Sequence, residues 1–174
     1  MQIPLVMTII GPDRTGLVES LARVVADHGG NWLESRMCRL GGEFAGILRV
    51  EIPSEKKNAL LDALKKISGL NVVVQPGEPV ALSIAGRQTK LELVGSDRPG
   101  IVREITSALA RANVNVEEFF SEVVSAPMSG ETLFKATARL QLPDRCDVAA
   151  LKKDLEKIAA DLFVDVSLAD LSVK

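Results

Sequence analysis

Two short segments carry residue types suited to holding a small charged molecule. They are Gly11-Pro12-Asp13-Arg14-Thr15-Gly16-Leu17-Val18 and, 84 positions later, Gly95-Ser96-Asp97-Arg98-Pro99-Gly100-Ile101-Val102. Each follows an apolar, extended run and precedes an amphipathic one, so each occupies a turn from strand into helix. The first-turn amides of a helix lack intrahelical partners, and the helix dipole places positive charge there. An anion such as an α-carboxylate is favoured at such a place, and Asp13 or Asp97 beside it suits an α-ammonium group. Gly16 and Gly100 read as first-turn glycines, poor helix formers whose missing Cβ gives a ligand or a neighbouring backbone access to those amides. The same residues also support a purely architectural reading. In that reading Asp13 and Asp97 cap their helices, Pro99 sits where a lost N–H costs little, and the glycines permit tight packing of helix on sheet.

Catalytic equipment is scarce. His28 is the one histidine, and there is no tyrosine. It falls at the end of the first helix, on the apolar stripe, and reads as a partly buried residue facing the helix dipole rather than a base. Cys38 and Cys146 belong to no Cys-x-x-Cys motif, and a His/Cys zinc site would need more ligands than the chain has. Cys38, inside the second strand, is expected to be a small buried core thiol, and Cys146 to be structural. Neither a metal nor a cofactor is expected. Trp32 packs between modules or shapes a ligand crevice; the sequence leaves both readings open. Phe119-Phe120 reads as core or interface, and the pairs Lys56-Lys57 and Lys152-Lys153 as solvated surface.

The elements that position the two loops come from a tandem duplication. Five of the eight residue pairs in the loop segments are identical. The match continues through Leu21, Val24 and Asn31 against Ile105, Ala108 and Asn115, and after an insertion Phe44 to Pro53 pairs with Phe134 to Pro143. Each copy reads as strand, helix, strand, strand, helix, strand. In the first, the strands are 2–10, 31–40, 43–52 and 70–75, and the helices 14–28 and 54–68, with Ser54 as a cap. In the second, the elements run over 86–95, 98–112, 114–125, 131–142, 147–162 and 163–171. Alternation of Leu48, Val50 and Ile52 with Arg49 and Glu51, and of Phe134, Ala136, Ala138, Leu140 and Leu142 with Lys135, Thr137, Arg139 and Gln141, gives strands with one wet and one buried face. The fold class is α+β, two ferredoxin-like βαββαβ units with both helices on one face of an antiparallel sheet. Their predicted bounds are 1–76 and 86–174, joined by a linker at 77–85, and residues 125–130 form an enlarged hairpin loop in the second. Two units of this size are expected to gain by packing as a close pair.

The formal charge is −2, from 21 basic and 23 acidic residues, and up to residue 80 there are nine of each sign. This is not the basic balance of a protein that binds nucleic acid directly. Aromatic residues are 3 %, too few for a base-stacking platform. No apolar run reaches the ~20 residues of a membrane span, and the first residues lack a signal-peptide pattern. The expectation is a cytoplasmic protein with no membrane partner and no enzymatic activity of its own.

The two loop segments resemble the first-loop signature of ACT domains, ferredoxin-like modules that bind amino acids, and the tandem pair covers essentially the whole chain. Asn31-Trp32-Leu33-Glu34-Ser35-Arg36-Met37, followed by Leu40-Gly41-Gly42-Glu43-Phe44, looks most like the glycine cleavage system transcriptional repressor family, although formyltetrahydrofolate deformylases carry a similar N-terminal module. The resemblance implies a regulator that responds to a small amino acid, glycine first. It would have no DNA-binding domain of its own and act through a partner such as a LysR-type activator. It also implies that the ligand sits where the first loop of one module faces another module. Ligand-binding roles then fall on Gly11, Asp13, Arg14 and Gly16, and on Gly95, Asp97, Arg98 and Gly100, with Asn31 and Asn115 lining the same crevice. Thr15 stands where the second copy has Pro99, so the two sites are not expected to be equivalent. A homodimer fits the exposed sheet edges. The alternative function is an allosteric ACT subunit of an amino-acid or one-carbon metabolic enzyme.

Overall fold

Leu5, Met7 and Ile9 of the first strand, β1 (Gln2–Pro12), are buried, while Thr8 and Ile10 face outward. This period of two gives the strand one core face and one open face. The computed structural model describes residues 1–77, 86–126 and 130–171. By its contacts the chain divides into two units, Met1–Leu82 and Ser83–Lys174. In the first, β1 is followed by α1 (Leu17–Asp27), β2 (Asn31–Leu40), β3 (Glu43–Pro53), a 3-10 turn (Ser54–Lys56), α2 (Lys57–Leu64) and β4 (Asn71–Pro76). The sheet is antiparallel throughout, with strand order β2-β3-β1-β4. Leu17, Leu21 and Val25 of α1 and Leu60 and Leu64 of α2 join Leu5, Met7, Ile9, Leu48, Val50 and Ile52 in one cluster, so both helices cover the same face.

The second unit repeats this plan with β5 (Arg87–Ser96), α3 (Ile101–Arg111), β6 (Asn115–Ser125), β7 (Thr132–Leu142), α4 (Val148–Leu162) and β8 (Val164–Asp170). Its strand order is β6-β7-β5-β8. Ile101, Ile105 and Leu109 of α3 and Leu151 and Leu155 of α4 pack on Leu91, Leu93, Ala136, Ala138 and Leu140. The α+β, ferredoxin-like organisation read from the sequence is the organisation observed. Most of the predicted linker, residues 78–85, and the centre of the predicted enlarged hairpin loop, residues 127–129, lie outside the described residues.

Several local expectations are corrected. The first helix of each unit begins at Leu17 or Ile101, three residues later than the expected starts at Arg14 and Arg98. Ser54 caps nothing: it lies in the 3-10 turn, and its hydroxyl donates to Glu55 Oε2 at 3.3 Å. Cys38 is exposed rather than buried. The register of β2 against β3 slips between Trp32 and Glu34, and from there Met37 faces the core opposite Gly46 while Cys38 faces outward opposite Ala45. The same slip recurs in β6 between Val116 and Glu118. Trp32 packs against the first unit's own core. Phe119 and Phe120 are exposed, 38 % and 66 %. Gln141, read as a wet-face residue, is 5 % exposed. His28 follows the expectation, closing α1 half-buried with its Nδ1 2.7 Å from Val24 O. Cys146 packs at the margin of the second core.

Candidate functional site

In each unit the first strand runs directly into the loop, and the loop into the first helix. Gly16 and Gly100 make the final turn of the loop into the helix, with φ 87° and φ 96°. They are the N-caps of α1 and α3, in left-handed backbone that a side chain disfavours, and not first-turn residues. A Cβ at either would meet nothing within 4 Å. The backbone turn therefore requires glycine, and the space beyond it is open.

Asp13 and Asp97 do not cap. Neither helix has a side-chain cap on its first-turn amides, because the aspartates precede the N-cap by three residues and the left-handed turn separates them from the helix. Ser20 N donates to Gly16 O at 2.9 Å and Glu104 N to Gly100 O at 3.0 Å, so each helix starts cleanly from its glycine. The amides ahead of that first bond receive no side-chain cap, the arrangement that attracts an anion.

The aspartate backbone ties each loop to the neighbouring hairpin: Asp13 N donates to Gly42 O at 2.9 Å and Asp97 N to Thr132 O at 3.0 Å. Their side chains then diverge. The Asp13 carboxylate accepts from Arg39 Nε at 2.9 Å, whereas Asp97 makes no ion pair among the described residues. Arg14 Nη2 donates to Ser68 O at 2.8 Å. Arg98 instead lies over the ring of Phe163, 4.4 Å from its centroid. Both arginines reach the turn leading into the last strand of their unit. Sequence reasoning missed Arg39, Ser68 and Phe163, since each comes from an element far along the chain and lacks a counterpart in the other copy.

Gly11 and Gly95 belong to the strand ladders, opposite Phe44 and Phe134. A Cβ on Gly11 would collide with Gly69 O, and one on Gly95 would stand 2.5 Å from Phe163 O and Val164 Cα. These glycines admit the close approach of a backbone, the packing role. Asn31 and Asn115 are exposed at the opposite end of each sheet. Asn31 pairs with Glu51 and Asn115 with Gln141, each seven residues along the strand from the loop end, or about 23 Å at the usual rise. Within a unit they do not meet Asp13 or Asp97. Each unit therefore brings together Asp13, Arg14 and Gly16, or Asp97, Arg98 and Gly100, and leaves the asparagines apart.

Among the described residues no group of three or more His, Cys, Asp or Glu side chains is placed to hold a metal ion. No helix among them is long and apolar enough to cross a membrane.

The duplicated fold agrees with what comparison with known proteins finds. A sequence model of the ACT domain matches the chain twice, over residues 4–74 and 91–169. The glycine cleavage system transcriptional repressor of Escherichia coli (strain K12) is 24 % identical over 94 % of this chain and 88 % of its own length. The crystal structure of an unknown protein from Galdieria sulphuraria superimposes with a TM-score of 0.85 at 27 % identity, covering 99 % of this chain and 100 % of that one. A crystal structure named provisionally as a glycine cleavage system transcriptional repressor gives a TM-score of 0.70 at 18 % identity, covering 99 % of both chains, a likeness of fold. The two family matches span most of the chain and coincide with its two folded units, so this protein belongs to the ACT-domain family as a tandem pair of such domains.

Proposed function

We propose that this protein is an amino-acid-responsive regulator without catalytic activity, whose ligand is a small α-amino acid, glycine first. It represses the glycine cleavage system through a protein partner such as a LysR-type activator and has no direct contact with nucleic acid. Similarity along nearly the whole chain to a transcriptional repressor supports a regulatory role. The observation that carries the sensing part is the repeated helix start, uncapped by any side chain, with an aspartate and an arginine held in the turn before it. An α-carboxylate suits the bare amides and the guanidinium, and an α-ammonium group suits the aspartate.

Regulation requires that ligand and partner influence each other's affinity, and the coupling factor is the same in both directions. Isothermal titration of the full chain with glycine, L-serine and L-alanine tests the sensing part. Saturable heat with at least one of them is expected, and none at millimolar concentration refutes it.

A further inference from the structure

We propose that two copies of this chain associate through the open face of the first unit's sheet, the face that α1 and α2 leave bare. The two sheets stack face to face about a twofold axis.

Matching positions of the two units differ in chemistry on this face. In the first, Ile10 lies opposite Ala45, and Ala45 opposite Cys38. One pleat along, Ile47 lies opposite Thr8, and Thr8 opposite Val73; Val6 stands one pleat further. Ile10, Ile47 and Val73 are 46 %, 48 % and 59 % exposed. These side chains form one contiguous apolar patch across all four strands, the kind of surface that marks an interaction site. In the second unit the same register positions hold Lys135 and Glu122 for Ala45 and Cys38, Thr137 and Ser167 for Ile47 and Val73, and Lys90 for Val6. Val94 and Phe120 stand among charges that are met on the sheet itself: Lys90 bonds Glu92 at 2.6 Å, and Arg139 pairs with Glu118. That face is built for water.

The strand sequences carry the same contrast. From Ile3 to Ile10 the first strand is apolar at every position but Thr8, the pattern of a strand covered on both faces, whereas Thr89 to Leu93 alternates. The helices cover one side of β1; a second copy supplies the other cover.

Charge and size favour an identical face as the occupant. By alternation this face also carries Glu34, Arg36, Glu43, Arg49 and Glu51, and Arg49 already meets Glu34 at 3.7 Å. Acid and base nearly cancel, so an identical face is not repelled, and a strongly acidic or basic partner finds no counterpart. Two sheets of the same twist pack well in near alignment, about 10 Å apart. At the usual strand spacing and rise, the face has a footprint of roughly 600 Å² per copy. Two such faces reach the lower end of what a specific, stable interface buries, about 1,200 Å² in total, so a micromolar dimer is expected.

The test follows the full chain by sedimentation velocity over about a hundredfold range of concentration centred on the micromolar. Because each side chain of a twofold contact enters it twice, Ile47→Glu and Val73→Glu should each weaken association at least about a hundredfold. Thr137→Glu and Ser167→Glu, at the matching positions of the second unit, should change it less than about twofold. Circular dichroism checks that each variant folds. On the unaltered chain, maleimide labelling of Cys38 should slow as the dimer fills while labelling of Cys146 stays constant; pairing through the β2 edge would leave Cys38 reactive. If a substitution unfolds the first unit, this thiol reading decides alone. A chain that stays monomeric into the millimolar range overturns the proposal, whether or not it binds a foreign protein. So does a dimer that survives both Ile47→Glu and Val73→Glu, or one in which Cys38 reacts as fast as in the monomer. Cys38 protected equally at every concentration would place the cover within the chain and overturn it too. None of these results bears on the sensing of an amino acid.

Discussion

Replacing Gly95 and Gly100 by alanine, one at a time, separates two reasons for a glycine that the sequence alone does not distinguish. At Gly95 a new Cβ would stand 2.5 Å from Phe163 O, Val164 Cα and Val164 Cγ1. Two of these three atoms are backbone, so neither rotamer change nor side-chain flexing relieves the overlap; β8 must move away from β5. Overpacking of this kind typically costs 1–3 kcal/mol and here should reach about 3 kcal/mol, because the ladder that yields is the one joining the last strand to the sheet. At Gly100 the new Cβ meets nothing within 4 Å, and the cost is the left-handed backbone alone, about 1–2 kcal/mol. Asparagine tolerates that backbone better than alanine, so Gly100→Asn should cost less than Gly100→Ala. Urea unfolding followed by circular dichroism, with hydrogen exchange of the β5 and β8 amides, measures the series. For a domain of this size each kcal/mol corresponds to a midpoint shift of about 4–8 °C in a parallel thermal scan. The expected order of damage is Gly95→Ala, then Gly100→Ala, then Gly100→Asn. A Gly95→Ala variant no less stable than Gly100→Ala would refute the packing argument, and equal costs for alanine and asparagine at position 100 would refute the backbone one.

Three other outcomes are expected. Asp147 is the aspartate that does cap a helix, accepting from Ala150 N at 3.0 Å; Asp147→Ala should destabilise by about 1 kcal/mol, while Asp97→Ala, which removes no cap, should stay within about 0.5 kcal/mol by the same denaturation assay. Ile105 is fully buried in the second core, so Ile105→Ala should cost about 2–5 kcal/mol, read from the urea midpoint. The Lys90 ammonium, bonded to Glu92 at 2.6 Å, holds the Glu92 carboxyl below its ordinary value, with the hydrogen bond the larger cause, their Coulombic attraction next, and a Ser167 hydrogen bond adding to it. A depressed carboxylate contributes stability that is present above the unfolded value, about 4.3, and lost as pH falls through the lower folded one. Lys90→Met should therefore flatten the acid limb of a stability-against-pH curve, and an unchanged slope below pH 4 would contradict the assignment.

Periodicity and repetition carried the fold, and each failure has a local cause. The buried alternation in β1, in β3 and in β7 as far as Leu140 is visible because those stretches hold a period of two over the core, which β7 leaves at Gln141. Cys38 departs from its expected burial because a single slip between Trp32 and Glu34 exchanges the faces of everything beyond it, and nothing in the residue types marks the slip. The helices start later than their sequence suggests because a glycine does not announce whether its φ is negative, within a helix, or positive, at its cap. Asp13 and Asp97 were legible as charged loop residues but not as a paired and an unpaired carboxylate. That difference depends on Arg39 and Val123, brought to equivalent positions by the pairing of β2 with β3 and of β6 with β7. Asn31 and Asn115 hold equivalent places in the repeat, and the antiparallel register puts each at the far end of its own sheet from the loop.

Trp32 is the single tryptophan of a chain with no tyrosine, and its indole rests on the core of the first unit. Intrinsic emission therefore follows the melting of that half and is blind to the other, while backbone dichroism sees both. Subtracting one unfolding curve from the other isolates the second half without cutting the chain, so the duplication comes with a built-in optical label on one of its copies.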